Sequence, residues 1–299
     1  MRNEIESAYK YCEKITRFHA KSFYFAAKFL PKLKRKAVYP IYAFCRHVDD
    51  EIDEISEGGE NDAIRAIENW KQKLEDVFES RQEVSTDKRP KTENRNLVFT
   101  AWKDLLKTYK IPPNLPLELM QGVLMDTQLK RYETFEELYV YCYRVASTVG
   151  LMSSEILGYS DAKALEYAEA MGIAMQLTNI LRDVKEDAAM NRIYLPQEDL
   201  RKFDVSEKQI FASELNENFV EMMRFQIARA RNFYLKGEKG IALLERDSRF
   251  TVLLASRIYS RILDEIERQN YDVFSRRAST SLTQKIFSLP KIWRAARNL

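Results

Sequence analysis

The chain has 299 residues, 45% of them hydrophobic and 31% charged, and 48 Lys and Arg against 45 Asp and Glu give a net charge of +3. Those proportions exclude a disordered or fibrous polypeptide, and the near-balance of charge offers no molecule-wide basic stripe for nucleic acid. Eight Gly and eight Pro are too few to punctuate a sandwich or barrel, and two histidines leave little material for Ser-His-Asp or Cys-His chemistry.

Apolar residues recur at helical spacing almost throughout, so an all-α fold is expected, one domain over residues 1–299. On the helix that begins near His19, Phe23 and Ala27 lie four residues apart and share a face, and Ala26 follows Ser22 in the same way. A basic cluster comes next: Lys28, Lys32, Lys34, Arg35 and Lys36. In the helix through Tyr42–Asp53, a step of about 100° per residue puts Tyr42, Arg46, Asp49 and Asp53 within one arc. Asp50, Glu51 and Glu54 fall on the opposite side, read as water-facing, while Ile41, Phe44, Cys45, Val48, Ile52 and Ile55 border the Asp49/Asp53 arc and place it at the edge of a core.

Interruptions follow at Gly58-Gly59, at the polar stretch Ser80–Asn96 (the best candidate for a disordered loop), at Ile111–Pro116, at Gly158–Asp161, at Tyr194–Pro196 and at Gly237–Gly240. Thr134-Phe135-Glu136-Glu137 and Ser160-Asp161 read as capped helix starts. A second acidic helix repeats the first design: Gln176, Asn179, Asp183 and Asp187 share an arc, with Glu186 on its margin. A single acidic pair at this spacing is an ordinary solvated helix face. Two such stripes, each beside an apolar face, would surround hard cations with oxygen ligands, which is how magnesium is held when a substrate diphosphate completes its shell.

The remaining features are spread along the chain. Cys12, Cys45 and Cys142 have no metal-ligand spacing and read as small core residues of a reducing compartment. No apolar run reaches the ~18 residues of a membrane span, so a cytoplasmic protein is expected. The second basic cluster (Arg276, Arg277, Lys285, Lys291, Arg294, Arg297), with Phe287, Leu289, Ile292 and Trp293 interleaved, is a solvated face or a peripheral attraction to anionic lipid.

Together these residues resemble the squalene and phytoene synthase family, whose members join two isoprenoid diphosphates head to head. His19-Ala-Lys-Ser22-Phe23 is similar to the family's opening motif, Tyr42 to Asp53 to its first aspartate-rich motif, and Gln176 to Asp187 with Arg192-Ile-Tyr194-Leu195-Pro196 to its second. Tyr141-Cys-Tyr-Arg-Val-Ala-Ser147-Thr-Val-Gly150 resembles its central cavity helix, and Tyr259 with Tyr271-Asp-Val-Phe-Ser-Arg276-Arg277 its closing segment. The resemblance implies an isoprenoid-synthase bundle around a deep cavity, most like that of a bacterial phytoene synthase.

It implies two or three magnesium ions on Asp49, Asp53, Asn179, Asp183 and Asp187, with Glu186 as an extra ligand. Arg46 and Arg182 would donate to phosphate oxygens, and His19, Ser22, Tyr42, Gln176, Tyr259 and Arg276 would complete the diphosphate contacts. Phe23, Tyr24, Tyr141 and Val145 would shield the cations, Tyr141 as a catalytic residue. Ser147 stands where the family often has Gly, which would narrow the cavity. The implied reaction makes phytoene from two geranylgeranyl diphosphates without a nicotinamide cofactor. Squalene, dehydrosqualene or presqualene diphosphate from farnesyl diphosphate is the alternative, and a non-catalytic assembly factor is the alternative of another class. Small residues at Ala26 and Ala27 would leave room for the longer tail.

Overall fold

A computed structural model describes the backbone of residues 2–55, 60–79 and 90–299, and the side chains of 3–52, 61–79 and 94–299. The chain opens with α1 (Arg2–His19), the short α2 (Lys21–Ala27) and the long α3 (Lys32–Ile55), followed by α4 (Glu60–Glu79), α5 (Pro90–Leu105) and α6 (Asn114–Gln128). α7 (Phe135–Cys142) runs through one π turn (Tyr143–Ser147) into α8 (Thr148–Leu157). α9 (Lys163–Arg182) passes by way of Asp183 into α10 (Val184–Ala189). Then come α11 (Gln197–Lys202), α12 (Glu207–Phe211), α13 (Glu217–Glu238), a 3₁₀ turn (Lys239–Leu243), α14 (Arg246–Arg268) and α15 (Leu282–Arg297). Among the described residues there is no strand, only isolated bridges between Arg131 and Ile193 and between Tyr159 and Leu244.

Local chemistry sets the helix ends. Thr134 Oγ1 accepts from the Glu137 amide at 3.3 Å, and Asp161 Oδ1 accepts from the Lys163 amide at 2.8 Å, so both expected caps form. Gly158 ends α8 at a φ of 73°, a conformation a side chain would strain. One expected interruption differs from the structure. Of the stretch Ser80–Asn96, residues 80–89 lie outside the described residues, while 90–96 are helical, because Pro90 sits at the first position of α5, where its missing N–H costs nothing. Gly58-Gly59 also lies outside the described residues. At Gly237–Gly240 the α-helix does end, at Glu238, and a 3₁₀ turn over Lys239–Leu243 follows; a Cβ on either glycine would come within 3.0 Å of Met171 or Tyr167 on α9. They are there for close helix packing.

Two large apolar clusters, with a smaller third that packs α2, the 3₁₀ turn, α14 and α15 together, build the core. The first joins α1, α3, α4, α5, α6 and α8 around the fully buried Phe44, Trp70, Phe99 and Trp102. The second joins α7, α9, α10, α13 and α14 around Ile173, Leu177, Met222, Ile227, Leu263 and Ile266. Each such side chain contributes about 1.5–3 kcal/mol on burial. α9 touches α7, the π turn, α8, α13, the 3₁₀ turn and α14, which explains why it is apolar nearly all round. Cys12 and Cys142 are buried in these clusters, as expected, but the half-buried Cys45 faces the cavity described next.

Candidate active site

Between the clusters lies a cavity of about 1120 Å³, larger than the ~300–1,000 Å³ of ordinary ligand pockets. Its polar end is made by the two acidic helices. From α3 come Tyr42, Arg46 and Asp49, and from α9 and α10 come Gln176, Asn179, Arg182, Asp183 and Asp187. Arg46 donates to Asp49 Oδ2 at 3.1 Å and also to Asp50. Its Nε is buried with no partner among the described residues, a donor set for an anion.

On the opposite wall Arg182 grips Asp183 at both oxygens, 2.8 and 2.5 Å, and Arg277 grips the same two oxygens at 2.8 and 3.0 Å. Burial pushes the Asp183 carboxyl up, but the hydrogen bonds from both arginines outweigh it and hold it below the usual carboxylate range. Arg182 also reaches the Tyr259 hydroxyl at 3.4 Å, Tyr259 donates to Asn179, and the Asn179 amide donates to Gln176 Oε1 at 3.1 Å. His19, exposed at the rim, and Ser22, on α2, complete this end.

Asp187 is electrostatically the opposite of Asp183. Burial first, then the charges of Asp183 and Asp126, raise its carboxyl to about 7. Asp126, on α6, was not found from sequence: it accepts from the Tyr141 hydroxyl at 3.0 Å and from the Tyr194 hydroxyl at 2.7 Å. The rings of Tyr141 and Tyr194 stack at 5.1 Å, and Tyr132 packs against both. Burial pushes the Tyr141 hydroxyl well up, so it stays protonated at neutral pH. Phe23 stacks on Tyr42 at 6.0 Å, and beyond that pair Ala26, Ala27, Leu30, Val145 and Leu157 make the wall apolar.

The structure brings together His19, Ser22, Phe23, Tyr42, Arg46, Asp49, Tyr141, Gln176, Asn179, Arg182, Asp183, Asp187 and Tyr259 around one cavity. Asp53 continues α3 one turn beyond Asp49, but its side chain lies outside the described residues. Arg276 does not line the cavity. It meets Gln269, and its neighbour Arg277 is the one that reaches Asp183. Glu186 stays off the cavity wall, 3.7 Å from Arg277. Tyr24 turns away to donate to Glu13 at 3.0 Å. Ser147 is not a cavity residue either: its hydroxyl donates to the Glu169 carbonyl at 2.8 Å and its backbone packs on Gly172, so it sets the contact of the π turn with α9 rather than the channel width.

One water-facing assignment is also corrected: Glu51 accepts from Trp70 Nε1 at 2.6 Å and from Arg95, clipping α3 to α4 and α5. Asp50 keeps a 38% exposed side chain and pairs with Arg46, and the side chain of Glu54 lies outside the described residues. In the basic clusters, Lys34 and Lys285 are largely shielded. Lys285, on α15, lines the cavity and donates to Ser22 Oγ at 2.9 Å, and burial with Lys21 nearby lowers its pKa.

Among the described residues no three acidic side chains converge on one point. The donor set fits magnesium in another way: carboxylates on facing helices, each able to give one or two oxygens, with phosphate and water completing an octahedron. The charges of Asp183 and Asp126 both act on Asp187, so a cation beside Asp187 would relieve that repulsion.

The sequence profile of the squalene/phytoene synthase family matches residues 16–284. A 15-cis-phytoene synthase of Synechocystis is 38% identical across 99% of this chain and 87% of its own length. A chloroplastic phytoene synthase of Solanum lycopersicum is 37% identical across 96% and 90%. Among solved structures, a dehydrosqualene synthase with bound ligand superposes with a TM-score of 0.88 at 30% identity, covering 99% of both chains. A squalene synthase from Alicyclobacillus acidocaldarius gives 0.76 at 26% identity, over 90% of this chain and 96% of the other.

Proposed function

The chain belongs to the squalene/phytoene synthase family, and from that membership we propose that residues 1–299 act as one catalytic domain that condenses two geranylgeranyl diphosphates head to head, through a cyclopropyl diphosphate, to phytoene. The observation that carries this reading is the pair of acidic helices facing each other at the polar end of a long apolar cavity. The phytoene synthase relatives over nearly the full chain, and the alanines on α2, favour the twenty-carbon substrate.

Asp49, Asn179, Asp183 and Asp187, with Asp53, would hold magnesium, which supplies positive charge to the departing diphosphate. Arg46, Arg182, Arg277 and Lys285 donate to phosphate oxygens and orient the two head groups, Arg46 through its unpartnered Nε. Phe23, Tyr42 and Val145 keep water from the allylic cation, and aromatic faces there stabilise positive charge. The Tyr141 hydroxyl, which donates to Asp126, lines the same cavity and would take a proton from the collapsing cation only as it passes its own to the Asp126 carboxylate.

Purified protein incubated with magnesium and each diphosphate in turn should give phytoene from the twenty-carbon substrate with no nicotinamide added, and chelator should stop it. A reductant-dependent product from farnesyl diphosphate moves the assignment to squalene synthesis. Asp49→Ala and Asp183→Ala should each lose about 10³-fold in turnover with helical content intact; near-normal activity in both removes the two-helix metal site.

The reading extends to peripheral contact with a lipid surface. No helix among the described residues is long and apolar enough to cross a membrane. The outer face of α15 exposes Leu282, Ile286, Phe287 and Trp293 beside Lys291, Arg294 and Arg297.

A further inference from the structure

Behind Leu157 and Leu244, two apolar residues of the cavity lining, lies an ion cluster that catalysis does not use. Lys34, in the first turn of α3, places its Nζ 2.8 Å from the Leu157 carbonyl, 2.6 Å from Glu245 Oε2, 2.6 Å from Asp247 Oδ1 and 3.1 Å from Ser248 Oγ. Its side chain is only 13% exposed, whereas its neighbours Lys28 and Lys32 are in water.

The cluster joins three elements. The end of α8 and the start of α14 are already tied through backbone, Glu245 N to Gly158 O at 2.9 Å and Ser160 N to Leu243 O at 2.8 Å. Lys34 fastens to that join the start of α3 and, with it, the 28–31 corner between α2 and α3. Each fastened piece carries an apolar residue that lines the cavity: Leu30 on the corner, Leu157 at the end of α8 and Leu244 just before α14. Fifteen residues of α3 separate Lys34 from Asp49, about 22 Å of helix, which is the reach of an extended twenty-carbon chain from the diphosphate end.

We propose that Lys34 is a specificity-determining residue: by holding the α2–α3 corner against the α8–α14 join it fixes Leu30, Leu157 and Leu244 as an end stop and limits the prenyl tail to twenty carbons. This rests on the prenyl diphosphate reading of the cavity. The end stop acts on the tail and not on the head group, so its effect grows with chain length, while a merely structural role would weaken all substrates alike.

The test measures binding of non-reactive thiolodiphosphate analogues with fifteen-, twenty- and twenty-five-carbon tails, by calorimetry with magnesium, and turnover of the matching diphosphates. Lys34→Met should raise the preference for the twenty-five- over the twenty-carbon tail about tenfold or more while leaving the fifteen-to-twenty ratio unchanged. Lys34→Arg should behave as the wild type. If Lys34→Met does not fold, the pair Glu245→Gln and Asp247→Asn removes the charged partners, and the same ratio is read. An unchanged twenty-five-to-twenty ratio in a folded variant overturns the end stop. Failure of the wild-type protein to bind any of the three analogues overturns the prenyl diphosphate reading itself, and the end stop with it. Binding without turnover leaves the end stop to be decided by the affinity ratios and counts against catalysis alone.

Discussion

Asp187 is buried on α10 beside Asp183 and Asp126, and burial first and those charges second lift its carboxyl to about 7. In the metal-free folded protein it keeps a proton that the unfolded chain has already lost above about pH 4. The folded state therefore binds more protons than the unfolded one between about pH 4 and 7, and stability falls as pH rises through that window. Asp187→Asn, permanently neutral, should lack this slope. With chelator present it should melt above the wild type at pH 8 and approach it at pH 5, while losing turnover. Parallel melting curves against pH for the two proteins would show that Asp187 is not the strained group. Asp183 and Asp187 were legible as an i, i+4 pair, although the expected single helix breaks between α9 and α10 at Asp183; the pairing survives because the Asp187 amide still donates to the Asp183 carbonyl at 2.9 Å. Asp126, Arg277 and Lys285 were not legible, because their partners come from other elements: Lys285 and Ser22 lie 263 positions apart. A lone acid or lysine at such a distance carries no periodic signal.

At the scale of the helix, periodicity identified which residues share an arc but not what stands opposite that arc. The Asp49 face of α3 was read correctly as a cavity edge, yet Glu51 on another face was taken for solvated because the arrival of Trp70 and Arg95 is a matter of packing between helices. Gly237 and Gly240 do mark the change from α13 to the 3₁₀ turn, but only the approach of α9 shows that their missing side chains also let two elements pack closely. On α2 the arc was informative, since Ala26 and Ala27, each 1% exposed, both line the cavity with Phe23. A ring at position 27 would project into the tail space one turn beyond Phe23. Ala27→Phe should shift the ratio of kcat/KM from geranylgeranyl toward farnesyl diphosphate by about tenfold or more. The thermal midpoint separates this from damage, because overpacking a filled core costs about 1–3 kcal/mol whereas a ring entering open space costs little. A folded variant with an unchanged ratio would mean that α2 does not gauge the tail.

The molecule as a whole must take lipid-like substrates from, and return a hydrocarbon to, an apolar phase, and α15 is the element proposed above to meet that boundary. Lys285 ties it to Ser22 at the cavity rim, and Ser288 and Ile292 continue its buried face. At about 100° per residue, Leu282, Ile286 and Trp293 form a stripe along one edge, while Phe287, Lys291 and Arg294 point outward. Phe287 is 84% exposed and Phe18, on the cavity rim, 74%. The helix holds no acidic residue. Water is a poor setting for such a face, whereas the interface of an anionic bilayer takes its apolar side chains and its cations together. Burying an aromatic or large aliphatic side chain is worth about 1.5–3 kcal/mol and each cation near an anionic surface about 1 kcal/mol. The protein should therefore sediment with vesicles of mixed phosphatidylcholine and phosphatidylserine, and less with phosphatidylcholine alone. Phe287→Ser should reduce the partition about tenfold on both compositions. Lys291→Gln with Arg294→Gln should weaken binding only to the anionic vesicles, and salt should mimic that pair but not the Phe287 variant. Equal sedimentation of all variants would place any lipid contact elsewhere on the surface, and absence of sedimentation for the wild type would leave α15 without a lipid partner.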